Sequence, residues 1–447
     1  MKDERQNNII IKAKREYPPL IKSDIKLTIG ILVSNHIKYI RKGMEAVKPL
    51  LDAVPSELIV VDTVGPENSD GSLDVVKEYT DKIYHFDWIN DFSAARNVAM
   101  DHAKGEWFMY FDDDEYFDDV TEFIEFFNSG ECDKYYAGVY LTGDYITPEH
   151  YQKNGAGRMI RRTVNTRFEG YVHEQFNEVF APVKQFTVFT HHFGYLFETP
   201  EQKLAKSERN MRLLEKELEE KGPNARICAQ IVGNMLGENE IEANKKCAEY
   251  IRLLEGTGEL KKSCGQWMLT VQNRLMMGWG NLEGILDLEK NYLNKGLLQE
   301  TARLVICLQV ATIAYSRGDY KMVSERVKTY FELLDWLNAH PDEKVLQTQF
   351  DFPGFMMDQN LFTMTKIGIE AENKLRNFDR AYAYIKKLDF DFCTDFKEIK
   401  TIIDDTFTGL EDIGPAVEFY KRFYNDRFFE DPALRKFLPD RIGKRIF

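Results

Sequence analysis

No apolar run in this chain of 447 residues reaches the roughly 18 needed for a membrane-spanning helix, so no transmembrane segment is expected. Met1–Arg15 carries only the short cluster Ile9–Ile11 between charges and lacks the core of a signal peptide. Cysteine is sparse: Cys132, Cys228, Cys247, Cys264, Cys307 and Cys393 are scattered, with no Cys-x-x-Cys pair. That excludes a disulfide frame and a zinc site, and it suits reduced, mostly buried thiols of a cytoplasmic protein. Positive charge is also short, with 59 Lys and Arg against 73 Asp and Glu and a formal net charge of -14. Nucleic-acid binders displace counterions with a basic footprint, so nucleic acid is not an expected partner. What the chain does have is apolar surface to bury. At 43% hydrophobic and 13% aromatic it can build a sizeable core, and its length leaves room for about two or three domains.

The organising stretch is Gly105–Phe117, where an aromatic run ends in Asp112, Asp113 and Asp114. Trp107–Phe111 has the length and composition of a strand buried on both faces, which places the three carboxylates at its carboxyl end. Ligands bind at that edge of open α/β sheets, and adjacent carboxylates there suit Mg²⁺ or Mn²⁺. A solvated acidic turn opening the next helix is the alternative.

Upstream, residues 1–24 read as a loosely attached extension. Leu27–Val33 is a continuous apolar strand ending in Ser34-Asn35-His36, and a helix carrying Ile40, Met44 and Val47 should break at Pro49. Leu58–Val61 is a second buried strand ending in Asp62, followed by the turn-rich loop Thr63–Ser72. Leu73–Tyr79 is helical and Ile83–Phe86 a short strand. The alternation implies a parallel sheet with right-handed crossovers. Ser93 is placed to cap a helix running through Ala103. Arg96, near that positive helix end, implies a nearby anion: a ligand, or one of the carboxylates at Asp112–Glu115.

Downstream, a helix at Asp119–Phe127 and a strand around Tyr135–Thr142 precede Arg158, Arg161, Arg162 and Arg167. Four arginines so close together in an acidic chain suit a phosphate-bearing or acidic ligand, or else a solvated strand edge. Phe186–Thr190 is a strand delivering His191 and His192. From about Glu201 the pattern becomes helical only, with Gln202–Lys221 stopped by Gly222-Pro223. Links at Glu238-Asn239-Glu240, Gly280-Asn281-Leu282, Gly318-Asp319-Tyr320 and Arg376-Asn377-Phe378 separate apolar-periodic segments. The first three recur at about forty residues, a helical-hairpin repeat near tetratricopeptide length. Trp267, Met276, Met277 and Trp336 read as stacking core.

With these pieces in place, the chain resembles a family 2 glycosyltransferase of the GT-A fold over Leu27–Tyr195. The carriers are Ser34-Asn35, Val-Val-Asp62-Thr, Asp91-Phe-Ser-Ala-Ala-Arg96-Asn, the Asp112–Asp114 motif, Phe-Glu-Gly-Tyr-Val-His173-Glu174 and His191-His192-Phe-Gly-Tyr. It is most similar to the branch holding lipooligosaccharide core glucosyltransferases and bacteriocin-peptide S-glycosyltransferases, the latter with a tetratricopeptide-like C-terminal region. The resemblance implies a Rossmann-like α/β GT-A domain with a mostly parallel sheet over residues 25–200 and an all-α, TPR-like domain over 201–447. It implies inverting transfer from a UDP-sugar with Mn²⁺ or Mg²⁺. Asp62 would accept from the uracil NH, with Ser34, Asn35 and Asp91 lining the base and ribose pocket. Arg96 would hold the nucleotide and its phosphates. Asp112 would face ribose or metal, Asp113 would shape the loop, and Asp114 would ligate the metal directly. His192 would be the third protein ligand, with His191 the nearer alternative and a buried, hydrogen-bonded histidine the bland reading.

Inversion needs a base on the face opposite the leaving group, and Glu174 is the candidate, with His173 orienting or substituting for it. Alternatively Glu174 pairs with one of Arg158, Arg161, Arg162 or Arg167. The chain departs from the commonest family pattern at His36, where many relatives carry an acidic residue, and in the extended loop Thr63–Ser72. The acceptor expected is a peptide, a protein or a cell-surface saccharide, and a homodimer through the helical region stays open. A catalytically silent domain whose repeats act as a scaffold is the alternative. Nucleotidyl transfer would need a Gly-rich basic loop, which Ser34-Asn35-His36 is not.

Overall fold

The computed structural model describes residues 18–236, 239–278, 280–347, 358–389, 396–412 and 414–423. Most of the N-terminal extension, Cys393 and the Met277 side chain therefore lie outside the described residues. Two compact units are present, Met1–Pro223 and Asn224–Phe447.

The first unit is built on an eight-stranded sheet. Its strands are β1 (Leu27–Val33), β2 (Ser56–Asp62), β3 (Ile83–His85), β4 (Trp107–Asp112), β5 (Glu115–Phe117), β6 (Ala137–Thr147), β7 (His150–Arg161) and β10 (Val183–His192), with the order β3-β2-β1-β4-β7-β6-β10-β5. The pairings β3·β2, β2·β1, β1·β4 and β6·β10 are parallel, and the other three are antiparallel. A two-stranded ribbon, β8 (Phe168–Glu169) with β9 (Gln175–Phe176), stands apart.

Side-chain alternation explains why these runs are strands. In β4, Trp107, Met109 and Phe111 enter one core, while Phe108 and Tyr110 enter the core on the opposite face. The first core is closed by α1 (Ile37–Ala53) through Ile40, Met44, Val47 and Leu50, and by α4 (Thr121–Asn128) through Phe123, Phe126 and Phe127. The second is closed by α3 (Phe92–His102) through Ala99 and Met100, with Phe168 and Phe176. Each fully buried Val, Leu, Ile, Phe or Met among these contributes about 1.5–3 kcal/mol. The short α2 (Ser72–Val76) covers the outer strands through Leu73 and Val76.

Three expectations change. Helix α1 does not break at Pro49 but runs on to Ala53, because fully buried Leu50 continues its apolar face beyond the proline. The cap of α3 is Asp91, whose carboxylate accepts from Ala94 N at 2.9 Å and from Ser93 Oγ at 2.8 Å. Of the arginine segment, Arg158 and Arg161 lie on β7, the return strand of a long hairpin with β6, and Arg162 and Arg167 follow it. The end of the extension is also docked, with Leu20 bridging to Thr163.

The long helix α5 (Pro200–Lys221) belongs to the first unit. Its Glu217 accepts from Tyr171 N at 3.1 Å, and its Lys206 donates to Gly194 O at 3.0 Å.

Among the described residues the second unit is all helical: α6 (Ala225–Met235), α7 (Glu240–Leu254), α8 (Ser263–Gly278), α9 (Leu282–Asn294), α10 (Glu300–Ser316), α11 (Tyr320–Ala339), α12 (Pro341–Gln347), α13 (Asp358–Lys374), α14 (Phe378–Ile385), α15 (Phe396–Gly409) and α16 (Gly414–Phe423). The recurrent links are helix starts. Asn239, Asn281 and Asp319 are N-caps accepting from the backbone N–H three residues on, each stabilising by about 1 kcal/mol. Trp267 is buried, and Trp336 packs on the core and stacks on His340 at 4.2 Å. Cys228, Cys247, Cys264 and Cys307 are buried free thiols here, as is Cys132 in the first unit. Burial pushes the first three up to about 12, which keeps them protonated and unreactive.

Candidate active site

Parallel pairing brings the ends of β1, β2 and β4 to one edge. In register, Val33 faces Asp62 and Leu32 faces Asp112, so Ser34, Asp62 and Asp112 emerge side by side. On β10, His192 lies in register with Glu115 of β5 on one side and Asp144 of β6 on the other. Gly43 makes room for this edge: a Cβ there would stand 2.6 Å from Glu115 O, so its absence lets α1 rest on the β5 backbone.

Asp112, Asp114, Glu115 and His192 each offer a donor atom, all within 4.8 Å of one another. His192 Nε2 lies 3.7 Å from Asp114 Oδ1 and 3.8 Å from Glu115 Oε1, while its Nδ1 is fixed by Asp144 at 2.6 Å. Asp114 Oδ1 and Glu115 Oε2 are buried with no hydrogen-bond partner. Leaving such an acceptor unsatisfied costs about 1–3 kcal/mol, which a cation would recover. Burial first, and then Asp112 and Asp113, push the Asp114 carboxyl above its usual range. Burial likewise drives Glu115 up to about 7, against the pull of Arg158. His192 is opposed by burial but raised to about 9 by Asp144, Glu115 and Asp114. Gly194 keeps the centre open, since a Cβ there would lie 2.6 Å from His192 Nε2 and 2.8 Å from Asp114 Oδ2. Carboxylate and imidazole donors, orphaned oxygens and this reserved space fit a hard divalent cation.

Two arginines, Arg96 buried and Arg158 partly buried, balance the cluster. Arg158 donates to Glu115 Oε1 at 2.5 Å and lies 3.3 Å from Asp112 Oδ2. Arg96 takes the ion-pair alternative: it donates to Asp112 Oδ1 at 2.6 Å and, through Nε, to Glu174 Oε1. Its guanidinium also lies over the Tyr110 ring at 4.2 Å. Although burial opposes it, the charge of Arg96 and Arg158 holds Asp112 far below the carboxylate range. Glu174 thus pairs with Arg96 and with none of the four downstream arginines. Those diverge: Arg161 holds Asp133, Arg162 holds the carbonyls of Ala103 and Gly105, and Arg167 pairs with Asp101 at the surface. Only Arg158 reaches the cluster.

The remaining expected residues are placed as follows. Asp113 turns away from the cluster and accepts from Ser34 N at 2.6 Å and Ser34 Oγ at 3.1 Å, with His36 Nδ1 at 2.7 Å. Asn35 fastens the loop after β2, donating to Asn68 O and accepting from Asp70 N. Asp62 Oδ1 accepts from Val64 N and Gly65 N at 3.0 Å each, and its Oδ2 meets His85. His173 sits in the left-handed region at φ 52°, with its side chain exposed, on the loop between β8 and β9 that carries Glu174. His191 faces away, between Asp118 at 2.7 Å and Tyr145 OH at 2.8 Å.

Glu115, Asp144, Arg158 and Lys206 reach the site without having been singled out individually. Glu115 directly follows the triplet and Arg158 opens the basic run, so both left a trace. Asp144 needed the register of β6 on β10, and Lys206 needed the path of α5. Lys206 is half-buried over the Tyr195 ring at 4.2 Å. Burial lowers its ammonium, while Asp114, Asp112 and Asp144 work against that.

Residues 28–194 match the family model described as Glycosyl transferase family 2. Residues 28–194 thus match a family 2 glycosyltransferase domain; the first unit has the GT-A-like, mostly parallel sheet, and the second unit the helical C-terminal region, that the resemblance implied. Among curated proteins, the SPbeta prophage-derived glycosyltransferase SunS of Bacillus subtilis (strain 168) is 31% identical over 162 residues, 33% of this chain and 34% of SunS. A TPR repeat-containing protein of Synechococcus elongatus is 25% identical over 233 residues, 49% of this chain and 55% of that protein. The chain thus spans about a third to about half the length of the curated relatives it matches. Among solved structures, S. aureus TarS 1-349 in complex with UDP-GlcNAc overlays at 12% identity and a TM-score of 0.30, over 71% of this chain and 92% of that one. Among the described residues, no helix is long and apolar enough to cross a membrane.

Proposed function

We propose that this protein is a metal-dependent inverting glycosyltransferase that moves a sugar from a UDP-sugar to a peptide, protein or saccharide acceptor. The observation that carries the reading is the four-donor cluster with its two orphaned buried oxygens, at the carboxyl edge of the sheet in a family 2 domain. Asp112, Asp114, Glu115 and His192 would hold Mg²⁺ or Mn²⁺, which when bound neutralises charge growing on the leaving diphosphate. Asp144 fixes the His192 ring so that Nε2 faces the other donors. Ser34, Asn35, Asp62 and Asp91 line the base and ribose side, where Asp113 holds the Ser34 turn rigid.

Glu174 takes the acceptor proton. Arg96, bridging Glu174 and Asp112, sets the distance between the base and the donor site. A thiol acceptor ionises readily and would ask less of that base. The helical hairpins favour a peptide or protein acceptor, since stacked repeats present extended binding surfaces. The experiment is calorimetric titration with UDP, with and without Mn²⁺, followed by slow hydrolysis of a panel of UDP-sugars. Mn²⁺-dependent UDP binding with turnover of one sugar is expected, and both should vanish in Asp114→Ala. Absence of UDP binding under all conditions would overturn the reading.

A further inference from the structure

The family-matched segment ends at residue 194, yet the edge of the site is completed by a residue twelve positions later. Lys206 lies on α5, and its Nζ donates to Gly194 O at 3.0 Å. Gly194 itself packs directly on the cluster, because a Cβ there would touch both His192 Nε2 and Asp114 Oδ2. Lys206 therefore stands one residue's thickness from the donor cluster. Among the described residues its ammonium makes no ion pair: its contacts are the Gly194 carbonyl and the faces of Tyr195 at 4.2 Å and Phe197 at 5.8 Å. An ammonium carries three donors, and one neutral carbonyl uses one of them.

This contrasts with the other cations at the site. Arg96 and Arg158 are each held by two carboxylates. Aromatic faces hold a cation in place without neutralising it, so the Lys206 ammonium is positioned by Tyr195 and Phe197 with no anion bound to it among the described residues. Nor does α5 need it as an anchor. Arg209 lies over the Phe92 ring at 5.4 Å, Glu217 accepts from Tyr171 N, and Glu220 accepts from Tyr171 OH.

We infer that Lys206 is a diphosphate-binding residue: its ammonium contacts the diphosphate of the UDP-sugar beside the cation cluster and stays with that group as it leaves. This rests on the donor reading above and adds to it a binding residue from outside the family-matched segment. A point charge on a flexible stem suits a diphosphate whose charge grows and shifts during transfer.

The test compares UDP with uridine, which lacks the diphosphate, by calorimetry in saturating Mn²⁺ on the full chain, the Lys206→Met variant and the Lys206→Arg variant. In Lys206→Met, UDP affinity should fall about tenfold or more, as for loss of one charge-assisted hydrogen bond, with uridine affinity unchanged. Lys206→Arg should recover most of the loss, and melting temperatures of all three should agree within a few degrees. Unchanged UDP affinity in Lys206→Met would overturn the inference while leaving the donor reading intact. Equal weakening of UDP and uridine would also overturn it, by making Lys206 a support for the Gly194 turn. A parent chain that binds no UDP would remove the donor reading and this inference with it.

Discussion

Gly194→Ala isolates the space reserved at the centre of the cluster. Gly194 does not have a positive φ, so alanine meets no backbone penalty there and the perturbation is the added methyl alone. That methyl would sit 2.6 Å from His192 Nε2 and 2.8 Å from Asp114 Oδ2, both under the 3.0 Å that real Cβ contacts respect. One or both ligand atoms must retreat by roughly 0.5–1 Å, and metal sites tolerate displacements of only about 0.2 Å. The ring cannot pivot freely, because Asp144 holds its Nδ1 at 2.6 Å. Mn²⁺ affinity should therefore drop about 10–100-fold, the range seen when ligand orientation is lost. The cost of fitting the methyl into the metal-free protein should be about 1–3 kcal/mol. Calorimetric Mn²⁺ titration gives the first quantity and urea unfolding in EDTA the second. A variant that binds Mn²⁺ as tightly as the parent would refute the placement of a cation between His192 and Asp114.

Other consequences follow from the same geometry. Glu174→Gln should abolish transfer while UDP binding persists, and an active variant would move the base elsewhere. Arg96→Met should cost about 3–5 kcal/mol in urea unfolding, because it strands Glu174 and leaves Asp112 only its 3.3 Å contact to Arg158, in a site where Arg96 is 6% exposed; a loss under about 1 kcal/mol would mean that water reaches the site. His36 is raised to about 9, chiefly by its hydrogen bond to Asp113. A folded value above the unfolded 6.5 stabilises below that pH and fades as pH rises through about 9. With the His36 side chain 43% exposed, screening limits this to about 1 kcal/mol at most. The stability difference between the parent and His36→Gln, followed by urea unfolding in EDTA, should thus shrink between pH 6 and pH 10, and a flat difference would discount the ion pair.

Sequence was most informative where one local rule decided the outcome. Apolar runs such as Leu27–Val33 could be buried only as central strands, and the aromatic run before Asp112 fixed where the carboxylates emerge. Asn239, Asn281 and Asp319 marked helix starts because their side chains cap locally. What escaped depended on partners distant in the chain. β7 reads as polar because much of the hairpin is exposed and only Ala156 and its last residues, from Met159, are buried. The four arginines looked like one patch, yet only Arg158 turns to the cluster, since strand alternation and the chain's exit from β7 send the others elsewhere. Asp144 becomes a partner of His192 only through the parallel pairing of β6 with β10.

Helix α5 changes where the domain can be cut. A splice made where the family match ends would leave Phe92, Tyr171 and Tyr195 without the helix that covers them. It would also release the three segments around Phe92, Tyr171 and Gly194, which α5 now ties together as a single strap. Grafting the helical region onto another family 2 domain, or exchanging it between relatives, must therefore carry the seam to Pro223, after the strap has passed.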